Sequence, residues 1–152
     1  MPSFFIRSPL DWTPFIQAEV LPRLQSGTIL ALSGPLGAGK TTFVQYLVTA
    51  LGGEASFVKS PTFTLMRSYK VSHGEITRAL HIDAYRFESV EEARILNLEE
   101  ELEVPGTIAC IEWAEKLEEM LQAHATRIIR LSLLPEEDGR RVSIVDRTSS
   151  FG

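Results

Sequence analysis

Cysteine is nearly absent: Cys110 stands alone inside the apolar run from Thr107 to Ile111, so no disulfide framework is available. That usage fits a reduced, cytoplasmic setting. No apolar run reaches the roughly 18 residues needed for a membrane-crossing helix. The segment from Met1 to Pro9 lacks both the basic end and the long apolar stretch of a signal peptide. Basic residues are also in short supply, 15 Lys and Arg against 20 Asp and Glu, for a net charge of −5. A freestanding DNA or RNA binder normally shows the opposite balance, which leaves contact with nucleic acid to a partner. Only 3 histidines are present, no His/Cys set has metal-ligand spacing, and His73 and His124 read as solvated. Nor is there a Ser-His-Asp arrangement. The 152 residues, 44% of them apolar, suffice for one domain over 1–152, with little left for a substrate domain or a large lid.

What the chain does have is a glycine-rich stretch in a demanding context. The apolar run Thr28-Ile29-Leu30-Ala31-Leu32 leads into Gly34-Pro35-Leu36-Gly37-Ala38-Gly39-Lys40-Thr41-Thr42, and a helical pattern follows. The spacing G-x4-G-K-T is complete. Glycines let the backbone curl so that successive N–H groups face phosphate oxygens, and the next helix adds its positive end. Lys40 is placed to reach β- and γ-phosphates, and Thr41 offers a hydroxyl to Mg²⁺. The stretch from Gly34 to Thr42 therefore predicts nucleoside triphosphate binding.

The surrounding pattern predicts an α/β domain. Ser8, Pro9 and Asp11 read as a helix start, with Trp12, Phe15, Ile16, Val20 and Leu24 at helical spacing, Pro14 shortening or shifting the start, and Gly27 closing the segment. A helix over Lys40 to Leu51 ends at Gly52-Gly53. Thr62 to Val71 and Arg78 to Ala84 read as a hairpin around His73-Gly74. Ser89 caps a helix beginning Val90-Glu91-Glu92, a short acidic helix covers Asn97 to Glu103, Thr107 to Ile111 is a buried strand, and Trp113 to Gln122 is helical. Arg127 to Leu133 and Arg141 to Val145 form an antiparallel pair at the sheet edge, turned at Glu136 to Gly139. The whole is a P-loop NTPase fold: a mixed, mainly parallel sheet flanked by helices, with an antiparallel edge.

Three further segments carry chemistry. An acidic residue that holds Mg²⁺ or orders water follows a buried strand in such folds, and Glu112 at the end of Thr107 to Ile111 meets that description. A surface glutamate capping the next helix is the alternative. In His81-Ile82-Asp83-Ala84-Tyr85-Arg86, strand alternation puts His81, Asp83 and Tyr85 on one face, which suits a face that looks into a site. Asp83 would order water or reach Mg²⁺ through water, and Arg86 would offset phosphate charge or meet a partner; an Asp–Arg surface pair is the alternative. Ser60-Pro61-Thr62 follows the P-loop helix, where a switch segment responds to the γ-phosphate, although alone it is only a Ser-Pro turn. The acidic run Glu99-Glu100-Glu101 with Glu103 reads as a solvated helix face or as a surface for a basic partner.

Taken together, G-x-L-G-A-G-K-T-T (Gly34 to Thr42), V-K-S-P-T-F-T-L (Val58 to Leu65), H-x-D-x-Y-R (His81 to Arg86) and I-E-W (Ile111 to Trp113) resemble the TsaE family, bacterial P-loop ATPases of tRNA threonylcarbamoyladenosine biosynthesis. The resemblance runs from about Ser8 to Arg141. Pro35 departs from the family pattern, which has Asp there, and implies altered loop rigidity with binding retained. The resemblance implies ATP with Mg²⁺ as cofactors and TsaB and TsaD as partners, with tRNA met only through their complex and no role for DNA or membrane. ATP hydrolysis would support turnover of threonylcarbamoyl transfer. It implies phosphate binding by Gly34, Leu36, Gly37, Ala38, Gly39, Lys40, Thr41, Thr42 and Ser60, and Mg²⁺ held by Thr41 and Glu112. Asp83, Lys40 and Thr62 would act on the γ-phosphate or its water. Trp12, within Leu10 to Thr13, and Arg140, beside Gly139, resemble segments that flank adenine. No arginine finger is evident near the P-loop, so hydrolysis is expected to be weak until a partner completes the site. The alternatives are a small-molecule or nucleotide kinase, a GTPase-like switch, which the missing Asn-Lys-x-Asp disfavours, and a scaffold with an idle loop.

Overall fold

Strands that read as unbroken apolar runs must be covered on both faces, and this sheet is built around two of them. The computed structural model describes residues 3–35, 37–54, 66–87 and 97–148. Along the chain, β1 (Ser3–Ile6) is followed by a helical segment, β2 (Thr28–Ser33) and α2 (Lys40–Ala50). Next come β3 (Met66–His73), β4 (Ile76–Asp83), α3 (Leu98–Glu103), β5 (Thr107–Glu112), α4 (Glu118–His124), β6 (Arg127–Glu136) and β7 (Gly139–Thr148). The seven strands lie in the order β1-β7-β6-β2-β5-β4-β3. The inner four, β6, β2, β5 and β4, pair parallel, while β3 and the β7–β1 pair add antiparallel edges on the two sides.

The expected mixed sheet is thus present, with an antiparallel margin at each edge. The outermost strand on one side is β1, which lies antiparallel to β7 with Ser3 opposite Ser143 and Ile6 opposite Arg140. Its four residues, Ser-Phe-Phe-Ile, carry no clean alternation, so only the long-range pairing defines them. The expected first strand of the hairpin is seen from Met66 onward; its earlier part and the Ser89 to Glu92 helix start lie outside the described residues.

Two apolar layers enclose the sheet. On one side Trp12, Phe15, Phe43 and Leu47 pack over Leu30, Leu32, Ile108 and Ile129. On the other, Leu98, Leu117 and Leu121 pack over Ile29, Ala31, Leu80, Ile82, Ala109 and Ile111. Side chains that alternate along β2 therefore serve opposite layers. The first helical segment is irregular for a local reason. It opens as a 3-10 turn at Pro9–Asp11, where the Asp11 carboxylate accepts from the backbone N–H groups of Arg7 and Ser8, and becomes α-helical over Trp12–Phe15 (α1). Pro14 falls in the first α-helical turn, where a missing N–H is tolerated. Pro22 has no N–H to donate, and the Leu21 N–H bonds back to the Ile16 carbonyl, which widens Ile16–Val20 into a π-helix before a closing 3-10 turn at Leu21–Arg23.

Three glutamates of α3 pair within the molecule, while Glu100 stays exposed. Glu101 pairs with Arg78 of β4, and Glu99 and Glu103 take the two ring nitrogens of His124 at 2.8 and 2.7 Å. His124 is therefore a clip between α3 and α4 and not the solvated residue expected; His73 is exposed. Hydrogen bonding to Glu103, then to Glu99, raises the His124 pKa above its ordinary 6.5 despite partial burial. A raised folded-state pKa contributes stability below the ordinary value and loses it as pH rises through the raised one. His124→Gln should thus be destabilised by roughly 0.5 kcal/mol at pH 6 and match the parent protein above the raised pKa, as urea unfolding at the two pH values would measure.

Candidate functional site

Parallel strands end together, and the carboxyl edge of this sheet gathers the groups expected to handle phosphate. Leu32, Glu112 and Asp83 lie in one register row across β2, β5 and β4. Alternation carries Ala79, His81 and Asp83 of β4, and Cys110 and Glu112 of β5, to the α2 side of the sheet, where the loop after β2 folds over them. In open α/β sheets this edge is where ligands sit.

The loop is shaped by glycines with clear steric reasons. Gly34 has φ +146° and a Cβ there would fall 2.5 Å from the Leu133 carbonyl oxygen of β6. Gly39 has φ +104° and caps α2. Ala38 is buried, with its N–H bonded to the Pro35 carbonyl at 3.1 Å, and Gly37, also at positive φ, is exposed. Pro35 thus takes part in the turn through its carbonyl, which any residue supplies. Thr41 and Thr42 are half-buried in the first turn of α2.

Lys40 is only 5% exposed. Its Nζ donates to the Gly34 carbonyl at 2.6 Å, lies 4.0 Å from Glu112 Oε1, and stands 4.6 Å above the Trp113 ring. Glu112 is buried in turn, and its Oε2 meets His81 Nε2 at 2.7 Å. The His81 ring is wholly enclosed, with Nδ1 lacking a partner among the described residues. Lys40, Glu112 and His81 form one buried chain. Burial first, and the Glu112 carboxylate second, push the neighbouring Cys110 thiol up to about 12. That keeps it a packing residue.

Trp113 holds φ +61°, a left-handed conformation that a bulky residue adopts only when its surroundings impose it. The ring it aims sits beside Tyr85 at 5.1 Å. Asp83 ends β4, and its Oδ1 accepts from the Tyr85 N–H at 3.0 Å, starting a 3-10 turn over Ala84–Arg86. Tyr85 accordingly leaves the strand face shared by His81 and Asp83 and is exposed. Its ring is covered by Lys116, whose ammonium also donates to the Tyr85 and Phe87 carbonyls.

Other expected site residues fall differently. Trp12 is fully buried, edge-on to Phe15 and Phe43 with centroids 5.8 and 5.3 Å away, so it presents no ring face to adenine; Leu10 is the exposed residue of that segment. Arg140 lies against Gly39 of the loop. Leu36, Ser60, Thr62 and the side chain of Arg86 lie outside the described residues. His81, which strand alternation puts on the face that looks into the site but to which the sequence assigns no role, joins the site through Glu112. Its polar ring at a position flanked by Leu80 and Ile82, two residues before Asp83, was the available clue.

Chemically, the edge offers an ammonium, a helix N-terminus and two carboxylates. Among the described residues no three His, Cys, Asp or Glu side chains cluster as a metal cage. The hard oxygens of Thr41 and Glu112 suit a cation such as Mg²⁺, which takes few protein ligands and completes its shell with phosphate and water. Removing Glu112 would leave Lys40 buried without its opposite charge and His81 Nε2 without its hydrogen-bond partner. Glu112→Ala should cost about 3 kcal/mol of stability in urea unfolding, and a cycle with Lys40→Met should show coupling of roughly 1 kcal/mol or less across 4.0 Å.

The chain is similar to known proteins along most of its length. The family model described as "Threonylcarbamoyl adenosine biosynthesis protein TsaE" matches residues 11–142. The tRNA threonylcarbamoyladenosine biosynthesis protein TsaE of Rickettsia bellii is 37% identical over 119 residues, covering 78% of this chain and 77% of that protein. The protein of the same name from Treponema pallidum is 38% identical over 119 residues, with 78% and 81% covered. The crystal structure of Bacillus subtilis YdiB superposes with a TM-score of 0.65 at 21% identity, over 97% of this chain and 85% of that one, a likeness of fold. The span matched by the family model contains the glycine loop, His81 to Arg86 and Glu112-Trp113, and this chain belongs to the TsaE family.

Proposed function

We propose that this chain binds ATP with Mg²⁺ and hydrolyses it as the ATPase component of tRNA threonylcarbamoyladenosine biosynthesis, acting in the cytoplasm with TsaB and TsaD and meeting tRNA only through them. The observation that carries the reading is the buried Lys40 at the N-terminus of α2, held 4.0 Å from a carboxylate that His81 fixes from behind. A plain structural lysine would be exposed or fully paired; here its hydrogen bond goes to the Gly34 carbonyl, a contact that a phosphate oxygen can replace.

In this mechanism the loop N–H groups and Lys40 hold the β- and γ-phosphates. The metal, carried by Thr41 and Glu112, would neutralise charge on the same oxygens. His81 keeps Glu112 Oε2 occupied, which turns Oε1 toward Lys40 and the loop. Asp83 uses Oδ1 on the Tyr85 N–H, leaving Oδ2 to accept a hydrogen bond from water. That water would attack the γ-phosphorus as the bond to the β–γ bridging oxygen breaks; one of its protons stays on the phosphate and the other goes to solvent, and ADP and phosphate leave. Ser60 and Thr62 belong to the same proposal as γ-phosphate contacts. The carboxylates orient and the cations stabilise, so the rate depends on positioning.

Lys40→Ala should lower ATP hydrolysis by about 100-fold or more. In a reconstitution with TsaB, TsaD, ATP, threonine, bicarbonate, tRNA and the threonylcarbamoyl-adenylate-forming enzyme, leaving out this protein or supplying Lys40→Ala should reduce modified tRNA over repeated turnovers. Unchanged modification in both cases would remove the reading. Labelled phosphate passing from ATP to a pooled metabolite, and not to water, would mark a kinase instead.

A further inference from the structure

We infer that Lys116 is a positioning residue for hydrolysis: it holds the turn that sets the Asp83 carboxylate and so fixes Asp83 against Glu112. The inference rests on the role given to Asp83 above. Lys116 lies in the 3-10 turn Ala114–Leu117, which follows directly on Glu112 and Trp113. Its Nζ donates to the Tyr85 carbonyl at 2.5 Å and to the Phe87 carbonyl at 3.3 Å, and stands 5.0 Å from the centre of the Tyr85 ring.

The turn it grips has little of its own to keep it in place. β4 ends at Asp83, and Ala84–Arg86 is a single 3-10 turn from which the Phe87 N–H returns to the Ala84 carbonyl at 3.1 Å. A turn that short leaves its later carbonyls without intrahelical donors. Lys116 supplies donors to two of them. Tyr85 is thereby held at both ends, its N–H on Asp83 Oδ1 at 3.0 Å and its carbonyl on Lys116. A displacement of Tyr85 would carry the Asp83 carboxylate with it, because Oδ1 follows the N–H from which it accepts.

Where the lysine comes from gives the contact its consequence. Asp83 and Glu112 are register partners at the ends of adjacent parallel strands, and the chain leaves each of them in a separate turn. Lys116 joins the two turns, and the Tyr85 and Trp113 rings meet beside it at 5.1 Å. Its own N–H bonds the Trp113 carbonyl at 3.3 Å, so the lysine backbone is set by the residue next to Glu112. Sheet pairing fixes the two backbones as far as the strand ends, and this bridge takes over beyond them.

An exposed lysine ammonium is ordinarily solvated or paired with a carboxylate. Among the described residues this one is engaged by two carbonyls and a ring, contacts that order backbone. The orientation of an attacking water is sensitive to displacements on the order of 1 Å. The bridge therefore bears on turnover, while nucleotide affinity belongs to Lys40 and the loop.

The test compares Lys116→Met, Lys116→Arg, Asp83→Asn and the double variant Lys116→Met/Asp83→Asn with the parent protein. The measurements are steady-state ATP hydrolysis, with and without TsaB and TsaD, and ADP binding by competition. Lys116→Met keeps the length of the side chain and loses its donors; kcat should fall about 10-fold, with KM for ATP and ADP affinity held within roughly twofold. Lys116→Arg, whose guanidinium still donates, should recover most of the rate. In the Asp83→Asn background Lys116→Met should have no further effect, since it acts through that carboxylate, whereas a folding defect would persist there. Losses that multiply in the double variant, a raised KM, or a parental kcat in Lys116→Met would each overturn the inference. So would a loss seen only with TsaB and TsaD present, the mark of a partner contact. Asp83→Asn at the parental rate would instead refute the role of Asp83, and absence of ATP hydrolysis by the parent protein would refute the P-loop reading itself.

Discussion

A lysine ammonium buried at the mouth of a parallel sheet has to be compensated, and much of this site follows from how that is done. Lys40 gives its hydrogen bond to the Gly34 carbonyl and lies 4.0 Å from Glu112. Glu112, itself enclosed, is steadied by His81 at 2.7 Å. In a low-dielectric pocket each of these groups would be expensive alone, and each makes the next tolerable. The chain thus couples three elements, the start of α2 and the ends of β5 and β4. In the proposed function, phosphate oxygens would take over from the Gly34 carbonyl as acceptors for the Lys40 ammonium.

The sheet order is what allows this. Because β2 is flanked by β5 on one side and β6 on the other, the loop that leaves it is overlooked from two directions. The β5–β4 flank brings carboxylates, and the β6–β7 flank brings an arginine. Antiparallel pairs are confined to the margins, where short hairpins suffice, while the parallel interior is covered on both faces by helices. Trp113, forced to positive φ directly after Glu112, turns its ring beneath the Lys40 ammonium and closes the pocket on the carboxylate side.

Much of this was legible in the sequence because it is local. An apolar run that must be a buried strand, followed by a G-x4-G-K-T loop, fixes Gly34 to Thr42 at a strand end. The same logic put Glu112 at the end of Thr107 to Ile111. What escaped depends on pairing between distant segments. Strand alternation placed His81 beside Asp83, but its bond to Glu112 needs β4 and β5 to be neighbours. Tyr85 left the predicted face because Asp83 caps a turn and ends the strand, a side-chain decision that periodicity does not record. Trp12 fitted a core pattern as well as the adenine-flanking segment that the resemblance implied, and its ring lies in the core between Phe15 and Phe43. The pairings of Glu99, Glu101 and Glu103 in α3 could not be read until α4 and β4 were set against them.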